Sequence, residues 1–401
     1  MQSKQPHTQK SEHPETVYTI CALSLYALYL VAVGIPIYQQ RLLFCDAAVY
    51  LRAAHAYLTG GQPYEHTYLL IFMYPPVFLR AVAGLVKYVP LRLLEGVYIL
   101  LNCCAVLSAP ILIAKRYVRI GWLTPAVAIA IFACHPLLTA QVALLCGNIT
   151  NLFYGFALAA GIRGLRHNKW SAFYIVIACC AVIKPHLLVL LVVPLFLGQR
   201  QVPGCAGTVG FAAVVALLQR VLWPAQYKTF TDTAAYELIT QQDSGYGLLR
   251  YLMHFHLGHI HPFNATRAAV GYMVLTTCLL AVLWRFRSRH PEVLRSSVGI
   301  AAVLVTAVLA NPRIMKYDMD IAIVPATVLV VEAVRTLLER RVNPLFIALP
   351  VAFFAALIDR NAEASVVVYL FGSVILFLCG FYRDATQVKP AHEAMHQHSF
   401  A

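Results

Sequence analysis

Along this chain, apolar and polar positions alternate on the scale of whole membrane spans rather than of helix faces or strands. Residues 1–16 are polar, and then Val17 to Tyr38 runs apolar without a charge. That run is long enough to cross a hydrocarbon core of about 30 Å. It exceeds a signal-peptide core and no small-residue cleavage site follows it, so it reads as an uncleaved first helix. Similar runs, punctuated by basic residues, predict helices near 92–114, 121–140, 147–163, 171–183, 186–198, 205–222, 267–284, 296–310, 318–335, 344–358 and 364–381. The expectation is about twelve spans. The two short pieces around Lys184-Pro185 read as one broken helix pair, a feature associated with function in membrane proteins.

Composition supports this pattern. Of 401 residues, 60% are hydrophobic and only 12% charged, about half the charge a soluble domain carries. Such a chain cannot cover a soluble surface, but it suits a protein whose outer belt faces lipid. With the N-terminus placed in the cytoplasm, more than half of the 31 basic residues fall in short inner loops and tails, as the positive-inside rule requires. The net charge of +14 is then explained by orientation and by contacts with anionic membrane lipids, and no nucleic acid is implied. The expected organisation is a cytoplasmic tail over 1–16, one transmembrane domain over 17–382 and a second cytoplasmic tail over 383–401. Both ends lie inside. Residues 39–91 and 223–266 are outer-side loops whose semi-polar, aromatic content predicts interfacial helices. The 11 cysteines read as small buried hydrophobes, although Cys45 and Cys146 are both expected near the outer surface, where a link between them would be allowed.

An ionisable residue at membrane depth is a candidate site, and three groups fall on the expected outer side. These are Asp46 after the first helix, Lys184 with His186, and Arg313, Lys316, Tyr317, Asp318 and Asp320. A carboxylate facing several cations is the layout that deprotonates a hydroxyl while holding a phosphate leaving group. Each has a structural alternative: Asp46 as a helix cap, Lys184 reaching to the interface, and Arg313 with Asp318 as an ion pair.

The residues Asp46-Ala-Ala-Val-Tyr50, Gly60-Gly61-Gln62-Pro63-Tyr64 and Phe72-Met73-Tyr74-Pro75-Pro76 resemble the first outer loop of glycosyltransferase family 87, within the GT-C superfamily. Gly147-Asn148, Ile183-Lys184-Pro185 and Asn311-Pro312-Arg313 with Tyr317-Asp318 follow in matching order. The resemblance implies an all-α polytopic GT-C-type bundle in a bacterial plasma membrane. It also implies an inverting transfer from a polyprenyl-phosphate-linked sugar, mannose by default, to a glycolipid or polysaccharide acceptor. By resemblance Asp46 is the general base. Lys184, Arg313, Lys316 and His186 are the expected phosphate contacts, and Tyr50, Tyr74, Asn148, Tyr317 and Asp318 the expected sugar or acceptor contacts. The family often carries Gln at the position of Asn148. Asp46 has no acidic neighbour before Glu65, so no cofactor is expected and no metal is favoured. The rival reading is a transporter or flippase of lipid-linked sugars.

Other signals are weaker. His392-Glu393-Ala394-Met395-His396 fits a zinc-protease pattern but sits in a polar tail. Asp318-Met319-Asp320 resembles a nucleotide-sugar motif on the wrong side of the membrane. His254, His256, His259 and His261 have metal-like spacing but read as an interfacial face. Asn148-Ile149-Thr150 fits a glycosylation acceptor only in a secretory pathway.

Overall fold

The computed structural model describes residues 13–39, 44–65, 70–237, 245–254, 265–339 and 362–387. Every regular element among them is helical. The elements are α1 (His13–Gln39), α2 (Cys45–Leu58), α3 (Pro76–Tyr88), α4 (Leu91–Leu112), α5 (Pro125–Cys134), α6 (Thr139–Cys146), α7 (Ile149–His167), α8 (Ser171–Ile183) and α9 (Val192–Leu197). They continue as α10 (Val202–Leu222), α11 (Pro224–Ala235), α12 (Leu248–His254), α13 (Ala265–Arg289), α14 (Pro291–Arg295), α15 (Ser297–Leu309), α16 (Ile323–Glu339) and α17 (Ala362–Gln387). Short 3-10 helices at Pro185–Leu191 and Lys316–Ile321 precede α9 and α16.

Helix α15 is the axis of the bundle. It is apolar on all sides, and Ala301 to Leu309 is buried throughout, as befits a helix enclosed by others. Helices α9, α14, α16 and α17 pack around it, while α4, α7 and α8 form an adjoining layer. Helix α1 lies outside against α5. Leu25, Leu28 and Val31 on α1, Leu100 on α4, Val221 on α10 and Met273 on α13 are all exposed. Bare apolar side chains along long apolar helices are a lipid-facing surface.

Among the described residues, four helices are long and apolar enough to span a membrane: Pro14–Ile35, Leu91–Tyr117, Val202–Leu222 and Arg267–Arg289. Other expected spans appear as shorter apolar helices, Ser171–Ile183, Pro185–Leu197, Ser297–Leu309 and Val366–Leu378. The expected helix at 344–358 lies outside the described residues, as do the histidines at 256, 259 and 261 and the pattern at 392–396.

The run at 121–140 is not one helix. It breaks into α5 and α6, bent by 81°. Pro136 has no N–H to donate and drives His135 into extended backbone, and Leu138 then turns left-handed. Gln141 donates its amide to Ala133 O at 2.8 Å, satisfying a carbonyl that the break sets free. In a membrane, such irregular backbone is tolerated only where protein covers it or it lines a cavity.

Candidate active site

Four helix interruptions converge at one end of the bundle, and each delivers a polar side chain. The first is the start of α2. Phe44 adopts φ 51° and its N–H bonds to Leu145 O at 2.6 Å, docking α2 against the end of α6. Cys45 and Cys146, both free thiols, face each other across this junction. Asp46 follows in the first turn of α2 and is half-buried.

The second interruption separates α6 from α7. Gly147 takes φ 58°, a conformation that favours glycine. A Cβ there would overlap the Phe44 ring. Asn148 is then the N-cap of α7 and accepts from Thr150 N at 3.0 Å. The apparent glycosylation triplet is thus a capping turn. Tyr98 donates to Gly147 O at 2.8 Å, and Tyr50 Oη accepts from Ile149 N at 3.3 Å, so side chains satisfy the exposed backbone.

At the third, Pro185 ends α8 and leaves Lys184 at φ −134°, outside any helix. Its ammonium turns inward, buried, and donates to Asn148 Oδ1 at 2.7 Å and Thr150 Oγ1 at 2.6 Å. It lies 5.4 Å from the Tyr74 ring centre and 5.2 Å from that of Tyr317. Lys184 therefore does not reach to the interface.

The fourth follows α15. Asn311 Oδ1 accepts from Arg313 N at 3.0 Å, and the chain re-enters as the 3-10 helix that carries Tyr317 and Asp318. Asp318 is buried and accepts from Met315 N at 2.8 Å and Tyr154 Oη at 3.1 Å.

Asn148 joins these pieces. Its Nδ2 donates to Asp46 Oδ2 at 2.6 Å and to Tyr74 Oη at 3.2 Å, while Oδ1 receives Lys184. Tyr74 and Tyr50 share a hydroxyl–hydroxyl bond of 2.7 Å and meet edge to face. Asp46 does not cap its own helix; its Oδ2 is held by Asn148. Burial holds the Asp46 carboxyl above the usual carboxylate range, outweighing the Asn148 hydrogen bond and the nearby charges of Lys184 and Arg313.

The sequence-predicted residues do not all fall together. Asp46, Asn148, Tyr50, Tyr74 and Lys184 form one hydrogen-bonded cluster. Tyr317 packs on Lys184, and Arg313 and His186 lie within electrostatic reach of it. Asp318 sits beneath, with both oxygens engaged by the protein. Lys316 turns aside, its ammonium 5.5 Å from the Tyr246 ring centre. Sequence reasoning missed Thr150, Tyr98 and Tyr154. Only Thr150 carried a signal, as the third residue of an N-cap turn just before an apolar run. Among the described residues, no group of three His, Cys, Asp or Glu is placed to hold a metal ion.

The fold and this cluster define a helical membrane protein with a carboxylate, an amide and a cation gathered at helix breaks near one end of the bundle. The family model for glycosyltransferase family 87 matches residues 72–312, well over half of the chain. The chain belongs to that family, within the GT-C superfamily of membrane glycosyltransferases. No curated protein matches it. Tyr74, Asn148, Lys184 and His186 lie inside the matched span. Asp46, Tyr50, Arg313, Tyr317 and Asp318 lie outside it, and the fold brings them to it.

Proposed function

We propose that this protein transfers a sugar, mannose by default, from a polyprenyl-phosphate donor to the hydroxyl of a glycolipid or polysaccharide, with inversion, on the outer side of a bacterial plasma membrane. The observation that carries the reading is the Asp46–Asn148–Lys184 relay in a family 87 chain. One neutral amide holds a base and a cation in register without letting them neutralise each other. Asp46 Oδ1 accepts no hydrogen bond among the described residues and is open to an acceptor. In the transfer, the acceptor oxygen bonds to the anomeric carbon and its proton passes to Asp46. The bond from that carbon to the phosphate oxygen breaks, and polyprenyl phosphate leaves against Lys184 and Arg313. Tyr74 and Tyr317, which pack against Lys184, border the place a sugar would take.

A second feature supports a lipid donor. Leu30, Val31, Gly34, Ile35, Phe44, Cys103, Leu144 and Leu145 line an apolar crevice of about 320 Å³ between α1, α4 and α6. Phe44 and Cys45 connect it directly to Asp46. A polyprenyl chain lying there would bring its phosphate toward the polar cluster. The reading keeps both termini in the cytoplasm and a twelve-span bundle, with the shorter apolar helices completing broken spans. It assigns the leaving group to protein cations rather than to a divalent metal.

The test is transfer by the purified protein in liposomes, from synthetic polyprenyl-phosphomannose to a membrane glycolipid extract, beside a nucleotide-mannose control. Product of inverted anomeric configuration from the polyprenyl donor alone is expected. Transfer from the nucleotide sugar only, or from no polyprenyl-linked sugar, would overturn the reading.

A further inference from the structure

A second cavity, of about 430 Å³, opens at the other end of the bundle. Helix α7 measures the separation: Asn148 caps its first turn, and Gly164, Leu165 and Arg166 in its last turns line the cavity. The 17 residues from Asn148 to Leu165, at about 1.5 Å each, set the two places roughly 26 Å apart. This cavity lies apart from the Asp46–Asn148–Lys184 cluster.

Its lining is strongly cationic. Lys115, Arg116 and Arg119 come from the segment after α4, Arg166 from the end of α7 and Arg295 from the end of α14. All five side chains are exposed. Among the described residues no carboxylate lines the cavity, and no ion pair is formed by these five. Orientation alone calls for basic residues in inner loops; it does not call for three distant stretches of chain to face one concavity.

The surrounding structure fixes that arrangement. Ser297 Oγ accepts from Arg119 N at 3.1 Å and donates to Arg119 O at 3.1 Å, tying the segment after α4 to the start of α15. Tyr117 donates to Leu158 O at 2.7 Å, tying the same segment to α7. Asn168 Oδ1 receives Gln199 N at 3.1 Å, closing the remaining side. Helix α15 begins at Ser297 in the cavity wall and adds its N-terminal dipole to the positive field.

We propose that this cavity binds a phosphate-bearing anion, either the headgroup of an anionic membrane lipid or a soluble phosphate or diphosphate. Basic concavities between membrane helices on the cytoplasmic side suit such headgroups, and Arg forks match phosphate oxygens in pairs. The site works at the membrane face opposite the transfer site and serves as an anchor or a sensor of lipid charge.

The test is a thermal-shift titration of the purified full-length protein with phosphatidylglycerol, phosphatidylcholine or inorganic pyrophosphate. A ligand that binds only the folded state raises Tm with its concentration. Phosphatidylglycerol is expected to raise Tm where phosphatidylcholine does not. Removing three cavity charges, Arg119→Gln, Arg166→Gln and Arg295→Gln, should weaken that response about tenfold or more. Removing three basic residues outside the cavity, Arg163→Gln, Lys169→Gln and Arg289→Gln, should leave it unchanged. If pyrophosphate also raises Tm and blocks the lipid response, the cavity accepts soluble phosphate; if only the lipid acts, the ligand is a headgroup. The proposal is overturned if neither phosphatidylglycerol nor pyrophosphate shifts the wild type, or if both triple variants weaken the response equally. Should the cavity triple lose its cooperative transition, Arg166→Gln alone carries the comparison.

Discussion

Asp46 and Asn148 are 102 positions apart in sequence, yet Asn148 Nδ2 donates to Asp46 Oδ2 at 2.6 Å while its Oδ1 holds Lys184 at 2.7 Å. The amide also caps α7. One side chain therefore sets the base, the cation and the local backbone together. Asn148→Ala removes all three roles and leaves Lys184 buried with the Thr150 hydroxyl as its acceptor. A stability loss of about 1–3 kcal/mol follows from the unsatisfied charge and lost cap, together with a large loss of turnover. Denaturation in a mild detergent and a transfer assay measure the two effects. Turnover and stability both at wild-type level would show that the bridge is incidental.

The pH dependence follows from the Asp46 carboxyl. Burial raises its pKa above the ordinary value of about 4. A base acts only when deprotonated, so kcat/KM is full above the raised pKa and falls as pH drops through it. Lys184 and Arg313 pull that pKa down; Lys184→Gln or Arg313→Gln should therefore move the acid limb to higher pH. Asn148→Asp, which sets a second carboxyl against the first, should move it further in the same direction. Movement to lower pH in these variants would mean that another group controls the limb.

Gly147 couples the α6–α7 turn to α2. Gly147→Ala places a side chain at positive φ, at a cost of about 1–2 kcal/mol, and drives its Cβ into the Phe44 ring. Displacing Phe44 displaces Asp46 two residues later. Turnover should fall more than stability does, and adding Phe44→Ala should relieve the overlap and restore part of the activity. A Gly147→Ala enzyme with full activity would show that the Phe44 junction does not position the base.

Chelation tests the assignment of the leaving group to protein cations. Prolonged EDTA treatment followed by gel filtration should leave transfer unchanged, whereas Lys184→Met should reduce it strongly. Loss on chelation, restored by a divalent ion, would move the leaving group to a metal.

The sequence exposed the site where chemistry interrupts hydrophobicity. Lys184 stands out because it breaks an apolar run just before a proline, and the same proline ends α8 and frees the ammonium to turn inward. Asp46 and Asn148 were legible for a similar reason, since each begins a helix just after a turn. Other parts were hidden. Within 121–140, only His135-Pro136 marked the 81° break, and hydropathy averages over one proline. Tyr98 and Tyr154 look like ordinary aromatics of an apolar helix, and their hydroxyl partners, Gly147 O and Asp318, are distant in sequence. Lys316 is three residues from Arg313, but the extended backbone at Met315 between them sends it toward Tyr246, a direction that residue spacing does not encode. The span count suffered similarly: α8 and α15, within runs read as whole spans, are helices of 13 residues, too short to cross alone.

The most direct measurement compares wild type with Asp46→Asn for sugar transfer from polyprenyl-phosphomannose, at matched folding and matched donor binding. Asn preserves the shape and removes the base. The account predicts that Asp46→Asn purifies and binds donor as wild type does and loses turnover by about 10²–10⁴-fold. Equal transfer by the two proteins would contradict it, since Asp46 would then only help to pin α2 to Asn148.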